Sequence, residues 1–214
     1  MNTKTSNKGI SEIYLAPILF SLVLFLILTY AVIIWIILDF DLTIYYWIMK
    51  LFSPFFTWLF LSFTYIWSTY SVILITFMAV LFFIFKKWYR NLAWIVFATP
   101  LIIYITNEII KLIIQRPRPG IFRMITETWY SYPSWHTMQA VALYWLFILF
   151  SSTYIKNKTL KRTINLISLF IIIWISLSRI YLWVHYFSDV LWWILLSIIY
   201  LLIIKNFFVK KKVA

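Results

Sequence analysis

Long apolar runs separated by short basic clusters decide what this chain can become. Six stretches, Tyr14 to Leu38, Phe56 to Phe85, Leu92 to Ile114, Pro133 to Tyr154, Ile164 to Trp183 and Val190 to Phe207, carry few charges. Each is near or above the roughly 20 residues that cross a bilayer core as a helix. In hydrocarbon every backbone N–H and C=O must find a partner within the segment, so such runs become helices. Between the first two, "DFDLTIYYWIMKLFSP" is amphipathic and ends at Pro54, as a helix lying along the interface does. The expectation is an all-α protein, an integral membrane bundle of six transmembrane helices with a short interfacial helix after the first. No linker or repeat divides it, so residues 1–214 read as one domain. The first run exceeds the roughly 7–15 residues of a signal-peptide core and lacks a small-residue cleavage site, so it reads as a retained span.

Charge supports the same setting. Hydrophobic residues make up 64% of the 214 and charged residues 12%, which leaves a soluble globular domain too little polar surface. The net charge of +13 would suit nucleic acid in a soluble protein, but here the excess flanks apolar spans, and no nucleic-acid partner is expected. Lys4, Lys8, Lys86, Lys87, Arg90, Lys156, Lys158, Lys161, Arg162, Lys205, Lys210, Lys211 and Lys212 fall in alternate loops, which makes that side, with both termini, cytoplasmic. Cysteine is absent, so thiolate chemistry and disulfides are excluded.

Polar groups gather in three segments on the opposite side: "KLIIQRPRPG" (Lys111 to Gly120), "YPSWH" (Tyr132 to His136) and "SRIYLWVHYFSD" (Ser178 to Asp189). Each adjoins the end of an expected helix, so all three can meet at one depth. Lys111, Arg118 and Arg179 are three cations with few acids nearby in the sequence, and guanidinium forks match phosphate oxygens. The implied ligand is a phosphate. Pro133 suits the first turn of a helix, which would place Ser134 and neighbouring N–H groups at an anion-attracting N-terminus. His185 and Asp189 stand four apart, so on a helix the carboxylate can orient the imidazole as a nucleophile while His136 serves as general acid. The surrounding cations disfavour a metal held by His136, His185 and Asp189. Taken singly, each cation reads as a helix-end residue reaching the interface and each histidine as packing, but that does not account for three clusters on one side.

These residues resemble the signature of the type 2 phosphatidic acid phosphatase superfamily, K-x6-RP, PSGH and SR-x5-H-x3-D. Lys111 with Arg118-Pro119, Pro133-Ser134-Trp135-His136, and Ser178-Arg179 with His185 and Asp189 fill the three parts in order, with Trp135 in place of glycine. The resemblance implies a membrane lipid phosphatase without cofactor or metal. In it Lys111, Arg118, Ser134, the N–H of Trp135 and Arg179 bind phosphate, His185 oriented by Asp189 attacks phosphorus, and His136 protonates the leaving oxygen. It also implies a site facing away from the cytoplasm and a lipid phosphate or pyrophosphate substrate: polyprenyl pyrophosphate, phosphatidylglycerol phosphate or phosphatidic acid. Arg116 lies outside the signature and is expected to contact a second phosphate or a headgroup. The alternative is a non-catalytic lipid-binding pseudoenzyme or scaffold whose pocket Trp135 blocks. Nothing in the chain fixes an oligomeric state.

Trp135 is one of 13 tryptophans in a chain with 2 glycines. Trp129 and Trp183 also stand where the resembling proteins commonly carry glycine. Trp67, Trp94, Trp145, Trp174 and one of Trp192 or Trp193 occupy similar small-residue positions. A glycine codon read as tryptophan would produce this pattern.

Overall fold

The computed structural model describes residues 9–85, 90–120 and 123–210. Lys4, Lys8, Lys86, Lys87, Lys211 and Lys212, on which part of the expected orientation rests, lie outside the described residues. Among those described, eight α-helices follow one another and no strand occurs: α1 (Gly9–Ile33), α2 (Leu38–Met49), α3 (Pro54–Ile66), α4 (Thr69–Phe85), α5 (Arg90–Ile114), α6 (Trp135–Tyr154), α7 (Lys158–Tyr181) and α8 (Phe187–Lys210). Ala16–Ile33, Leu92–Ile114 and Lys158–Tyr181 are each long and apolar enough to cross a bilayer alone, whereas α2 and α3 qualify only as a pair bent by 119°.

The expected span Phe56 to Phe85 is two helices. Trp67 ends α3 with ψ 43°, outside the helical range, and Ser68 Oγ accepts from the N–H of Ser71 as α4 begins. An apolar run conceals such a break because hydropathy does not change across it. Its consequence is local to the polar groups: the indole N–H of Trp67 reaches the His136 carbonyl at 3.3 Å.

The central element is α6, which packs against α5, α7 and α8. Residues Thr137 to Leu143 are all buried, so this helix has no outward face over two turns. Ala140 and Ala142 let neighbouring helices come close. On one side Met138 and Ala142 meet Ile103 of α5 and Trp193 of α8; on the other, Ala140 and Leu143 meet Trp67, Val72 and Ile175. The helix α3 is fixed by Ser53, whose Oγ accepts from Phe56 N, with Pro54 in the first turn. Tyr181 ties it to the end of α7 through Thr57, 2.9 Å away.

Among the described residues, three that are not glycine have positive φ, each within two residues of a helix end: Trp35 (61°), Gln115 (49°) and Trp183 (54°). The last two aim the chain. Beyond Gln115, residues 116–120 leave the helical path, and beyond Trp183 the N–H groups of Val184 and His185 both donate to the Arg179 carbonyl at 3.3 Å.

Because Leu143 is buried at the middle of α6, Leu143→Ala is expected to lower stability by about 2–5 kcal/mol. Thermal unfolding in detergent reads this directly; an unchanged midpoint would contradict the packing.

Candidate active site

His185 lies in the turn before α8, and its two ring nitrogens have different partners. Nε2 is 3.2 Å from Nη1 of Arg118, and Nδ1 is 2.7 Å from the Ser131 carbonyl. A guanidinium can only donate, so Nε2 accepts and carries the lone pair, while Nδ1 bears the hydrogen. Burial, followed by the positive charges of Arg118, Arg179 and Lys111, holds the imidazole well below its ordinary pKa. The residue is therefore a neutral base with Nε2 directed at the cations.

Asp189, in the first turn of α8, supports this ring at one remove. Its Oδ2 is 3.6 Å from His185 Nδ1, beyond a hydrogen bond, and instead accepts from Ser131 Oγ and, at 2.9 Å, from the N–H of Tyr186. Ser131 thus receives the imidazole on its carbonyl and the carboxylate on its hydroxyl. Sequence reasoning passed over this serine, which lies three residues before Ser134 and carries no motif.

The expected role of Arg116 is corrected by its surroundings. It is 2% exposed, with Nη1 donating to Asp189 Oδ1 at 2.5 Å and Ser188 Oγ at 2.8 Å, and Nη2 to Asp41 Oδ2 at 2.8 Å. Two carboxylates and a hydroxyl hold it inside the protein, away from any headgroup. Asp41, from α2, also accepts from the N–H and Oγ of Ser188. No sequence signal marked this aspartate.

Lys111, Arg118, Trp135, His136 and His185 line one cavity of about 200 Å³ with Tyr104, Glu108 and Glu127. Trp135 leans edge-on against Tyr104, ring centres 5.3 Å apart. Arg179 is fully buried beside this cavity and reaches it through Glu127, whose Oε1 is 2.6 Å from Nη2. Glu127 Oε2 lies 3.7 Å from Arg118, and Glu108 lies 3.9 Å from Lys111. The cations are therefore not short of acids, as the sequence suggested; the loop before α6 and the preceding turn of α5 bring them in. Ser134 is the N-cap of α6 rather than part of its first turn, since Pro133 lies outside the helix. It is fully buried, with Oγ 3.1 Å from Thr137 Oγ1, and is not among the residues lining the cavity.

A buried neutral imidazole facing a lysine and two arginines can attack an anionic electrophile, and a second imidazole on the same wall can exchange protons with what leaves.

The model of a family described as the PAP2 superfamily matches residues 91–212. A sequence relative, phosphatidylglycerophosphatase B of Bacillus subtilis, is 30% identical over 128 residues, 59% of this chain and 62% of that protein, so the chain matches less than two thirds of its relative's length. The crystal structure of a transmembrane PAP2 type phosphatidylglycerolphosphate phosphatase from Bacillus subtilis superposes with a TM-score of 0.77 at 20% identity, covering 91% of this chain and 96% of that one. That likeness establishes the fold.

Of the chain's two histidines, His136→Gln leaves His185 alone. Its NMR titration in detergent is expected to have a midpoint below the ordinary value of about 6.5. Since the native state resists this proton more than the unfolded chain does, the neutral His185 adds stability above that range that is lost as pH falls through it. A midpoint at or above the ordinary value would contradict the assignment.

Proposed function

Because the chain belongs to the PAP2 superfamily, we propose that it is an integral membrane phosphatase that removes phosphate from a lipid phosphate or pyrophosphate through a phosphohistidine. The observation that carries this reading is the tautomer of His185: the lone pair of Nε2 faces a cavity walled by Lys111, Arg118 and His136.

In the proposed reaction the terminal phosphate sits among Lys111, Arg118 and Arg179. His185 Nε2 forms the bond to phosphorus as the P–O bond to the lipid breaks. The departing oxygen keeps the electron pair and takes a proton from His136, releasing a lipid alcohol or, from a pyrophosphate, a lipid monophosphate. Water then gives its proton to His136 and attacks phosphorus, the P–N bond breaks, and inorganic phosphate leaves. The three cations stabilise charge on the equatorial oxygens, the part a divalent ion plays in other phosphoryl transfers, so the proposed reaction is metal-independent. Substrates of the expected classes are polyprenyl pyrophosphate, phosphatidylglycerol phosphate and phosphatidic acid; the likeness to phosphatidylglycerophosphatase B supports the second.

A six-span arrangement over residues 1–214, with α2 at the interface and the site on the extracytoplasmic face, completes the proposal. The basic run Lys156 to Arg162 supports that orientation, since it follows the end of α6 remote from His136.

Phosphate release from purified protein on a panel of these lipids tests the reaction. His185→Ala is expected to lose about 10⁴-fold or more in kcat. His136→Ala is expected to lose about 10²–10⁴-fold on a lipid phosphate; on an aryl phosphate, whose leaving group needs no proton, the burst of alcohol release is expected to persist while hydrolysis of the phosphohistidine slows. Release that His185→Ala leaves intact, or none by the unaltered protein on any lipid, would refute the proposal.

A further inference from the structure

The carboxylate of Glu127 occupies the place a phosphate needs. Its Oε1 binds Arg179 at 2.6 Å and its Oε2 lies 3.7 Å from Arg118, so one anion spans two of the three cations of the proposed phosphate site. The fit is incomplete in an informative way: Nε and Nη1 of Arg179 are buried with no hydrogen-bond partner. A planar carboxylate leaves those donors unused, whereas a tetrahedral anion presents more oxygens to them. Glu127 can also leave. Its side chain is 28% exposed, and it lines a second cavity of about 400 Å³, next to the first, with Arg123 on its wall.

We propose that Glu127 is a specificity-determining residue: its carboxylate holds Arg179 and Arg118 until a doubly charged terminal phosphate displaces it toward Arg123. A singly charged phosphodiester, with no more charge than the carboxylate it must replace, competes poorly. The common phospholipids surrounding the protein are phosphodiesters, so the device keeps the bulk membrane out of a site built for phosphate monoesters and pyrophosphates. This inference rests on the phosphatase reading.

Calorimetry on purified protein at about pH 8, where inorganic phosphate is largely the dianion, separates the two. Glu127→Gln is expected to bind inorganic phosphate roughly tenfold more tightly than the unaltered protein and to gain at least as much for dimethyl phosphate, a monoanion. Equal or weaker phosphate binding by Glu127→Gln overturns the inference while leaving the phosphate site in place. Absence of phosphate binding by both proteins removes the site itself. On the unaltered protein, carbodiimide labelling of Glu127 is expected to rise when phosphate is added; unchanged labelling overturns the displacement without relying on a variant.

A second inference stands on the backbone alone. We infer that the cell places glycine, not tryptophan, at positions 35 and 183. Both have φ in the left-handed region, 61° and 54°, just past the ends of α1 and α7, where glycine is the favoured residue because it has no Cβ. The buried indole N–H groups of Trp174, Trp192 and Trp193 have no hydrogen-bond partner, although tryptophan in a core ordinarily finds one. A glycine codon read as tryptophan accounts for these observations and for 13 tryptophans beside 2 glycines. Peptide mass spectrometry of protein isolated from its native cells is expected to show glycine at both positions; tryptophan at either overturns the inference.

Discussion

The arginine shared by Asp41 and Asp189 is the interaction on which the rest of the site depends. Arg116 joins three parts of the chain in one buried contact: the loop after α5, the helix α2 and the first turn of α8. A single buried charge is costly, and an arginine between two carboxylates is tolerable only when all three are held in register. Ser188 completes that register by donating to Asp41 from both its N–H and its hydroxyl. Helices that lipid cannot drive together through the hydrophobic effect are thus locked by ions at one end.

From this lock the orientation of His185, the proposed nucleophile, follows. Asp189, fixed by Arg116, fixes the Ser131 hydroxyl; the Ser131 carbonyl then holds Nδ1–H of His185 and leaves Nε2 as the acceptor facing Arg118. The carboxylate acts through a backbone group rather than on the imidazole itself. The turn at Trp183 contributes separately, because two N–H groups on one Arg179 carbonyl keep the histidine loop against the helix that carries the arginine.

Much of this was legible in the chain and the rest was not, for a definite reason. Apolar runs of bilayer length marked most of the helices, and the three polar segments could be set at one end because each adjoins a helix terminus. Within those segments Lys111, Arg118, Trp135, His136 and His185 come to a single cavity. The break at Trp67 was hidden, since apolar residues continue on both sides of it. Asp41, Ser131 and Glu127 were hidden for another reason: their partners lie 75, 58 and 52 residues away, and only the packing of helices brings them together. Arg116 was misjudged on the same account, as a cation beside a motif looks free until its carboxylates arrive from elsewhere.

The site also gathers most of the molecule's negative charge. Of six acidic residues, Asp41, Glu108, Glu127 and Asp189 are paired with the cations around His185, which leaves Glu12 and Asp39 to offset all the remaining lysines and arginines. A protein with so few acids of its own must take its counter-ions from its surroundings, and in a membrane those are anionic lipids. Thirteen of the nineteen basic residues lie on the expected cytoplasmic side, so that lipid shell gathers in the leaflet opposite the proposed site. What the shell governs is how the bundle sits: anionic headgroups against the basic loops hold that end in place, with a grip that weakens as ionic strength rises.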